Sequence, residues 1–229
     1  GRIERRLDAA KVKGLRTGDN PARWEGGLRE VLPKPKRPEN QHAAAHYKDV
    51  PAIGAELLTD ISEFDLSRKA LVFTILTAVR TTETRGMLKR EVDLASATWV
   101  VPAVRMKMEK EHRVPLSPQA LAIFTAQAAD IGPDDLVFPG LKPGAMLGEN
   151  TMTHALQDIR PGLTVHGFRS SFRDWISEAT DFGFELGEIA LAHKVGSKVS
   201  RAYARSDQLE KRRPMMAHWA DYVVNQPTD

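Results

Sequence analysis

The sequence contains no cysteine. Disulfides, thiol nucleophiles and cysteine-ligated zinc are therefore excluded. It also lacks a Gly-x4-Gly-Lys-Ser/Thr loop, so nucleotide hydrolysis has no support. Asp130, Asp134 and Asp135 cluster, but beside Gly132-Pro133 they read as a helix end and a turn. A metal-dependent nuclease is thus poorly supported. No apolar run approaches the ~18 residues a membrane span needs. The charged start, Gly1-Arg2-Ile3-Glu4-Arg5-Arg6, has no signal-peptide core. These absences give the expectation of a cytoplasmic protein. The first residue is not Met, and the chain is read as a fragment of a longer one.

What is present is a globular composition, 41% hydrophobic and 28% charged, which is too apolar for a disordered chain. The net charge of +3 does not by itself indicate nucleic-acid binding. Its distribution says more. Residues 1–50 hold twelve Lys/Arg against seven Asp/Glu, and residues 194–213 hold seven against two. Each stretch reads either as a phosphate-binding surface or as a solvated helix face.

Local patterns predict a mostly helical chain. Ile3, Leu7 and Ala10 space a short amphipathic helix over 2–13. Pro33-Lys34-Pro35-Lys36-Arg37-Pro38 reads as an extended basic linker. Residues 1–32 are then the tail of a preceding domain, 33–45 the linker, and 46–229 the main domain. Ala70 to Leu76 is apolar nearly all round, as in a buried helix. Thr98 to Pro102 and Arg113 to Leu116 read as a β-hairpin around a charged turn region. Ser117-Pro118 starts a helix running to about Asp130. Residues 139–148 are a loop. Further helices are expected over 150–159, 166–179, 185–192, 198–204 and 207–224. The expected class is α+β, mostly α, with one small antiparallel sheet.

Several residues could carry chemistry, and each has an ordinary alternative. In His166-Gly167-Phe168-Arg169, positions i and i+3 of a helix bring an imidazole and a guanidinium together, while Phe168 faces the core. Arg matches phosphate oxygens with a planar fork, and His moves a proton near neutral pH. Most His-x-x-Arg tetrads are ordinary surface. Arg80 ends the apolar helix, and an Arg80–Glu83 ion pair is expected at that spacing. Lys107 lies in the hairpin turn region, where a lysine is usually solvated. His193 follows a short helix. Tyr203 sits among cations, where a half-buried aromatic is the ordinary reading.

Their order is not ordinary. The series Arg, hairpin Lys, His-x-x-Arg, His and Tyr resembles the catalytic signature of the tyrosine recombinases, the phage-integrase family, and especially integrases of prophages and genomic islands. Thr77-Ala78-Val79-Arg80 is similar to the first arginine box. Arg105-Met106-Lys107-Met108 leading to His112-Arg113-Val114-Pro115-Leu116-Ser117 is similar to the lysine hairpin. His166 to Arg169, Leu191-Ala192-His193 and Ala202-Tyr203-Ala204-Arg205 are similar to the second box. Arg212 to Met216 and Trp219 to Val223 resemble the tail of that subgroup. One departure is Lys89, where these integrases lead one to expect Trp; a change of packing is expected there, not of chemistry.

The resemblance implies a helical tyrosine-recombinase catalytic domain (46–229) behind the last part of a core-binding domain (1–32). It implies Arg80, Lys107, His166, Arg169, His193 and Tyr203 as catalytic residues. It also implies metal- and ATP-independent exchange of double-stranded DNA through a 3′-phosphotyrosyl bond, integrating or excising a mobile element. No cofactor or membrane is expected. Assembly to a tetramer on DNA and a directionality factor are the implied partners, and weak, salt-sensitive DNA binding is expected of this stretch alone. Two alternatives stand beside this reading: a type IB topoisomerase-like enzyme, and a catalytically silent DNA-binding relative.

Overall fold

A helix without a polar face must be enclosed by others, and the fold is arranged around one. The computed structural model describes residues 1–32, 43–59, 61–62, 65–193 and 206–225. The chain divides into two compact units, Gly1–Asn40 and Gln41–Asp229.

The first unit carries helix α1 (Arg2–Val12). No described residue of it is buried, and Ile3 is 69% exposed. Polar bonds organise it instead. The Asn20 amide donates to the Glu4 carbonyl at 2.8 Å and to Asp8 at 2.7 Å, and the Trp24 N–H donates to the Glu4 carboxylate at 2.8 Å.

The second unit holds the hydrophobic core. Its elements are α2 (Val50–Leu58), α3 (Leu66–Thr77), α4 (Thr81–Arg85), β1 (Val92–Asp93), β2 (Thr98–Val101), β3 (His112–Pro115), α5 (Pro118–Ala128), α6 (Thr151–Gln157), α7 (Gly167–Ala179), α8 (Phe184–Ala190) and α9 (Leu209–Val224). The class is α+β and mostly α. The three strands form one antiparallel sheet in the order β1-β2-β3. Thr98 pairs with Pro115 and Val101 with His112, so residues 102–111 form the excursion that carries Lys107.

Helix α3 begins at Asp65, whose carboxylate accepts the Arg68 N–H at 3.0 Å. Every residue from Ala70 to Thr77 is buried. Helices α2, α4, α5, α6 and α9 all pack on it. Trp219 of α9 donates its indole N–H to the Ile75 carbonyl at 2.8 Å, so a polar ring edge enters the core satisfied. Phe172 and Trp175 of α7 meet Trp219 and Tyr222 of α9 edge-on or tilted, at centroid separations of 5.2–5.7 Å.

Differences from the sequence expectation are local. Helices α2 and α4 and strand β1 are additions. The predicted helix over 198–204 lies outside the described residues. Lys89 donates its ammonium to the Ile131 carbonyl at 2.7 Å, which joins the segment before the sheet to the loop after α5. Arg212 of α9, 1% exposed, donates to the Asp207 and Arg113 carbonyls at 2.9 and 2.7 Å and to the Asp207 carboxylate at 3.1 Å. A buried guanidinium at a helical core position is tolerable only with this satisfaction.

Helices α2 and α9 meet at Gly54, where an added Cβ would lie 2.0 Å from the Val223 carbonyl oxygen. The obstacle is backbone, so the helices would have to separate. Gly54→Ala is expected to cost ~1–3 kcal/mol. Its urea midpoint should fall at unchanged slope, whereas Gly183→Ala, which meets nothing within 4 Å, should unfold like wild type.

Candidate active site

Helix α3 ends in Ala78 at φ 53° and α8 is followed by Ala192 at φ 50°. A left-handed alanine costs ~1–2 kcal/mol and usually gives way to glycine. Both turns point the last carbonyls of their helices toward one guanidinium. Arg169 of α7 donates Nη1 to the Ala78 carbonyl and Nη2 to the Leu191 carbonyl, the latter at 2.6 Å. Helix C-termini offer orphan carbonyls and negative partial charge, which suits a cation. Arg169 is 4% exposed, and its Nε is buried with no partner among the described residues.

The remaining predicted residues stand around it in different ways. Arg80 follows Ala78 by two residues. Its Nη1 donates to one Glu83 oxygen and its backbone N–H to the other, both at 2.9 Å. The expected ion pair is present, and Glu83 is 1% exposed. Burial first, and the nearby Arg80 charge second, lower the Arg169 pKa to about 10. His193 Nε2 lies 3.3 Å from Arg169 Nη2, and its Nδ1 lies 3.0 Å from the Glu188 carboxylate. His166 caps the start of α7, exposed, three positions before Arg169. Phe168 between them is buried. Lys107 is exposed on the β2–β3 excursion. Tyr203 lies outside the described residues. The described chain resumes at Ser206, and Asp207 accepts bonds from Arg113 Nε at 2.8 Å and Nη2 at 2.5 Å.

Two glycine and histidine positions explain how the cluster is built. Backbone 43–45 lies across the start of α7, and a Cβ on Gly167 would approach the Ala43 oxygen to 2.5 Å. The glycine in His166-Gly167-Phe168-Arg169 therefore serves packing. The excursion bearing Lys107 is anchored at both ends. Arg105 pairs with Glu91, which also accepts the Trp99 indole N–H at 3.1 Å. His112 Nε2 lies 3.1 Å from the Ala190 carbonyl, one residue before the Leu191 carbonyl that holds Arg169.

The model of the phage integrase family matches residues 50–210. The chain belongs to this family. Prophage integrase IntA of Escherichia coli K12 is 36% identical over 186 residues, covering 77% of this chain and 45% of that protein. The integrase of Enterobacteria phage P4 is 32% identical over 202 residues, 79% of this chain and 46% of its own length. The chain thus spans about half the length of these curated relatives. Among solved structures, the integrase from mycobacterium phage Brujita aligns with a TM-score of 0.59 at 18% identity, covering 99% of this chain and 72% of the other. XerA recombinase aligns at 0.50 with 16% identity, covering 91% and 70%. At these identities the likeness concerns the fold.

Within this family frame, sequence reasoning overlooked Glu188 and the anchoring part of His112. The available signal for Glu188 was an acid five residues before a histidine at a helix end. His112 carried no local signal, because its partner is 78 residues away.

Burial, then the Arg212 charge, lower the His112 pKa from 6.5 to about 4. The unfolded chain therefore binds a proton between these values that the fold excludes, so stability falls as pH drops through that window. Near pH 4.5 this one group should cost about 2–3 kcal/mol relative to pH 7.5. His112→Gln keeps an amide donor for Ala190 and does not titrate. Urea unfolding at the two pH values should show a smaller acid loss for the variant than for wild type by that amount. Equal losses would place the proton elsewhere.

Proposed function

We propose that this chain is the catalytic part of a site-specific DNA recombinase that breaks and rejoins double-stranded DNA through a covalent bond to Tyr203. The observation that carries the reading is the gathering of donors at Arg169: the Arg80 charge acts against that of Arg169, and His193 Nε2 lies 3.3 Å from the same guanidinium. An anion between like charges relieves that repulsion, and a phosphodiester under attack gains negative charge on its non-bridging oxygens.

In this mechanism Arg80 and Arg169 hold those oxygens, with His193 as a third contact. Each such preorganised contact is worth on the order of 3 kcal/mol. Tyr203 attacks phosphorus and forms a 3′-phosphotyrosyl bond. A free tyrosine loses its proton only near pH ~10, so a base is needed, and His166 takes that part. The leaving 5′ oxygen receives a proton from Lys107 on the β2–β3 excursion. A 5′-hydroxyl of another strand then attacks the phosphotyrosine and restores the phosphodiester. The bond energy is conserved throughout, so the cycle needs no nucleotide and no metal. Assembly of four copies on DNA and a directionality factor belong to the same proposal, as does a core-binding role for residues 1–32 ahead of a catalytic domain over 46–229.

The test is relaxation of supercoiled plasmid in EDTA by the full-length chain, the plasmid carrying its own crossover site. Wild type should relax DNA and remain attached to it in denaturant, and Tyr203→Phe should do neither. Arg169→Ala should slow cleavage by about two orders of magnitude or more. Persistent inactivity of the wild type, or relaxation by Tyr203→Phe, would overturn the reading.

A further inference from the structure

The turn that ends α8 is a Schellman motif. The His193 N–H donates to the Glu188 carbonyl at 2.9 Å, and the Ala192 N–H donates to Ile189 at 3.0 Å. This geometry places the third-last helical residue beside the second residue past the end, a contact that is ordinarily apolar. Here the two residues are a carboxylate and an imidazole, joined a second time at 3.0 Å through their side chains.

The neighbours of the ring determine its protons. A guanidinium only donates, so His193 Nε2, facing Arg169 Nη2 at 3.3 Å, must offer a lone pair. An ionised carboxylate only accepts, so Nδ1, facing Glu188, must carry the hydrogen. One neutral tautomer satisfies both contacts. Among the described residues, the charged groups facing the ring are Glu188 from its own helix and Arg169 from α7, and Arg80 and Glu83 act in turn on Arg169.

We propose that Glu188 is a positioning residue that locks His193 as the Nδ1–H tautomer, leaving its Nε2 lone pair directed at Arg169. The Glu188 side chain is 17% exposed and its second oxygen is buried without a partner among the described residues, so its described carboxylate bond is the one to His193. The consequence for catalysis rests on the recombinase reading above. A phosphate oxygen is itself an acceptor, so His193 can contact it through Nε2 only after taking a proton there from solvent. Glu188 then faces an imidazolium across the bond it already makes, as carboxylates do behind working histidines. Engagement of the scissile phosphate is thereby linked to uptake of one proton.

Nitrogen-15 NMR of His193 in DNA-free protein, near pH ~8 where an ordinary imidazole is neutral, tests the lock without any activity. Wild type should show a protonated Nδ1 and a pyridine-type Nε2. Glu188→Gln retains an oxygen acceptor and should keep that pattern. Glu188→Ala should move the Nε2 signal toward the protonated position. In plasmid cleavage by the full-length chain, the Gln variant should stay within a few-fold of wild type, and the Ala variant should lose about tenfold or more. A protonated Nε2 in wild type, or identical spectra for wild type and Glu188→Ala, would overturn the proposal. Inactive wild type with the expected spectra would overturn the recombinase reading and leave the tautomer lock standing.

Discussion

The site depends on one buried guanidinium. Arg169 leaves α7 and closes two helix ends at once, taking the Ala78 carbonyl after α3 and the Leu191 carbonyl after α8. Desolvating a guanidinium is expensive, and the compensation is two carbonyls that their own helices cannot use. Removing the side chain would leave both acceptors unpaired in the interior. The residues on either side of those carbonyls, Arg80 and His193, are placed by the same two bonds. Structural and chemical demands therefore meet in a single side chain.

The surroundings supply the rigidity that such an arrangement needs. Helix α3 is enclosed on all sides, so its C-terminus is fixed by the core. The end of α8 is held from a second direction by His112 at the start of β3. Two alanines in the left-handed region carry the turns, although glycine would adopt that backbone without strain. Alanine narrows the conformations open to these turns, and a precise carbonyl direction is what Arg169 requires. Strain at both flanks of one site is the pattern expected where geometry serves a function.

Charge follows the same plan. Glu83 holds one edge of Arg80, and Glu188 holds the far nitrogen of His193. Each acid supports a group that faces the cluster. The two acids offset the Arg80 and Arg169 charges, and both favour the charged form of Arg169. Arg212 and Arg113 gather on Asp207 in a comparable way, pinning the described start of the tail segment to the sheet.

Much of this was legible in the chain itself. The Ser117-Pro118 start, the apolar Ala70–Leu76 run and the aromatic spacing of α7 are local signals, and the corresponding helices form within a few residues of their expected ends. Arg80, Arg169 and His193, which the fold brings together, could be singled out through their order and spacing. Their contacts could not. Arg169 finds its acceptors 91 and 22 residues away, and His112 finds its own 78 residues away. Propensity and periodicity describe a residue's neighbourhood along the chain and say nothing about which helix end arrives from elsewhere. The sequence by itself determined the longer helices, the β2–β3 hairpin and which side chains could serve phosphate chemistry. Tertiary structure alone decided that two helix ends converge on Arg169 and that Glu188 chooses the proton on His193, because hydrogen-bond direction exists only once distant backbone is fixed in space.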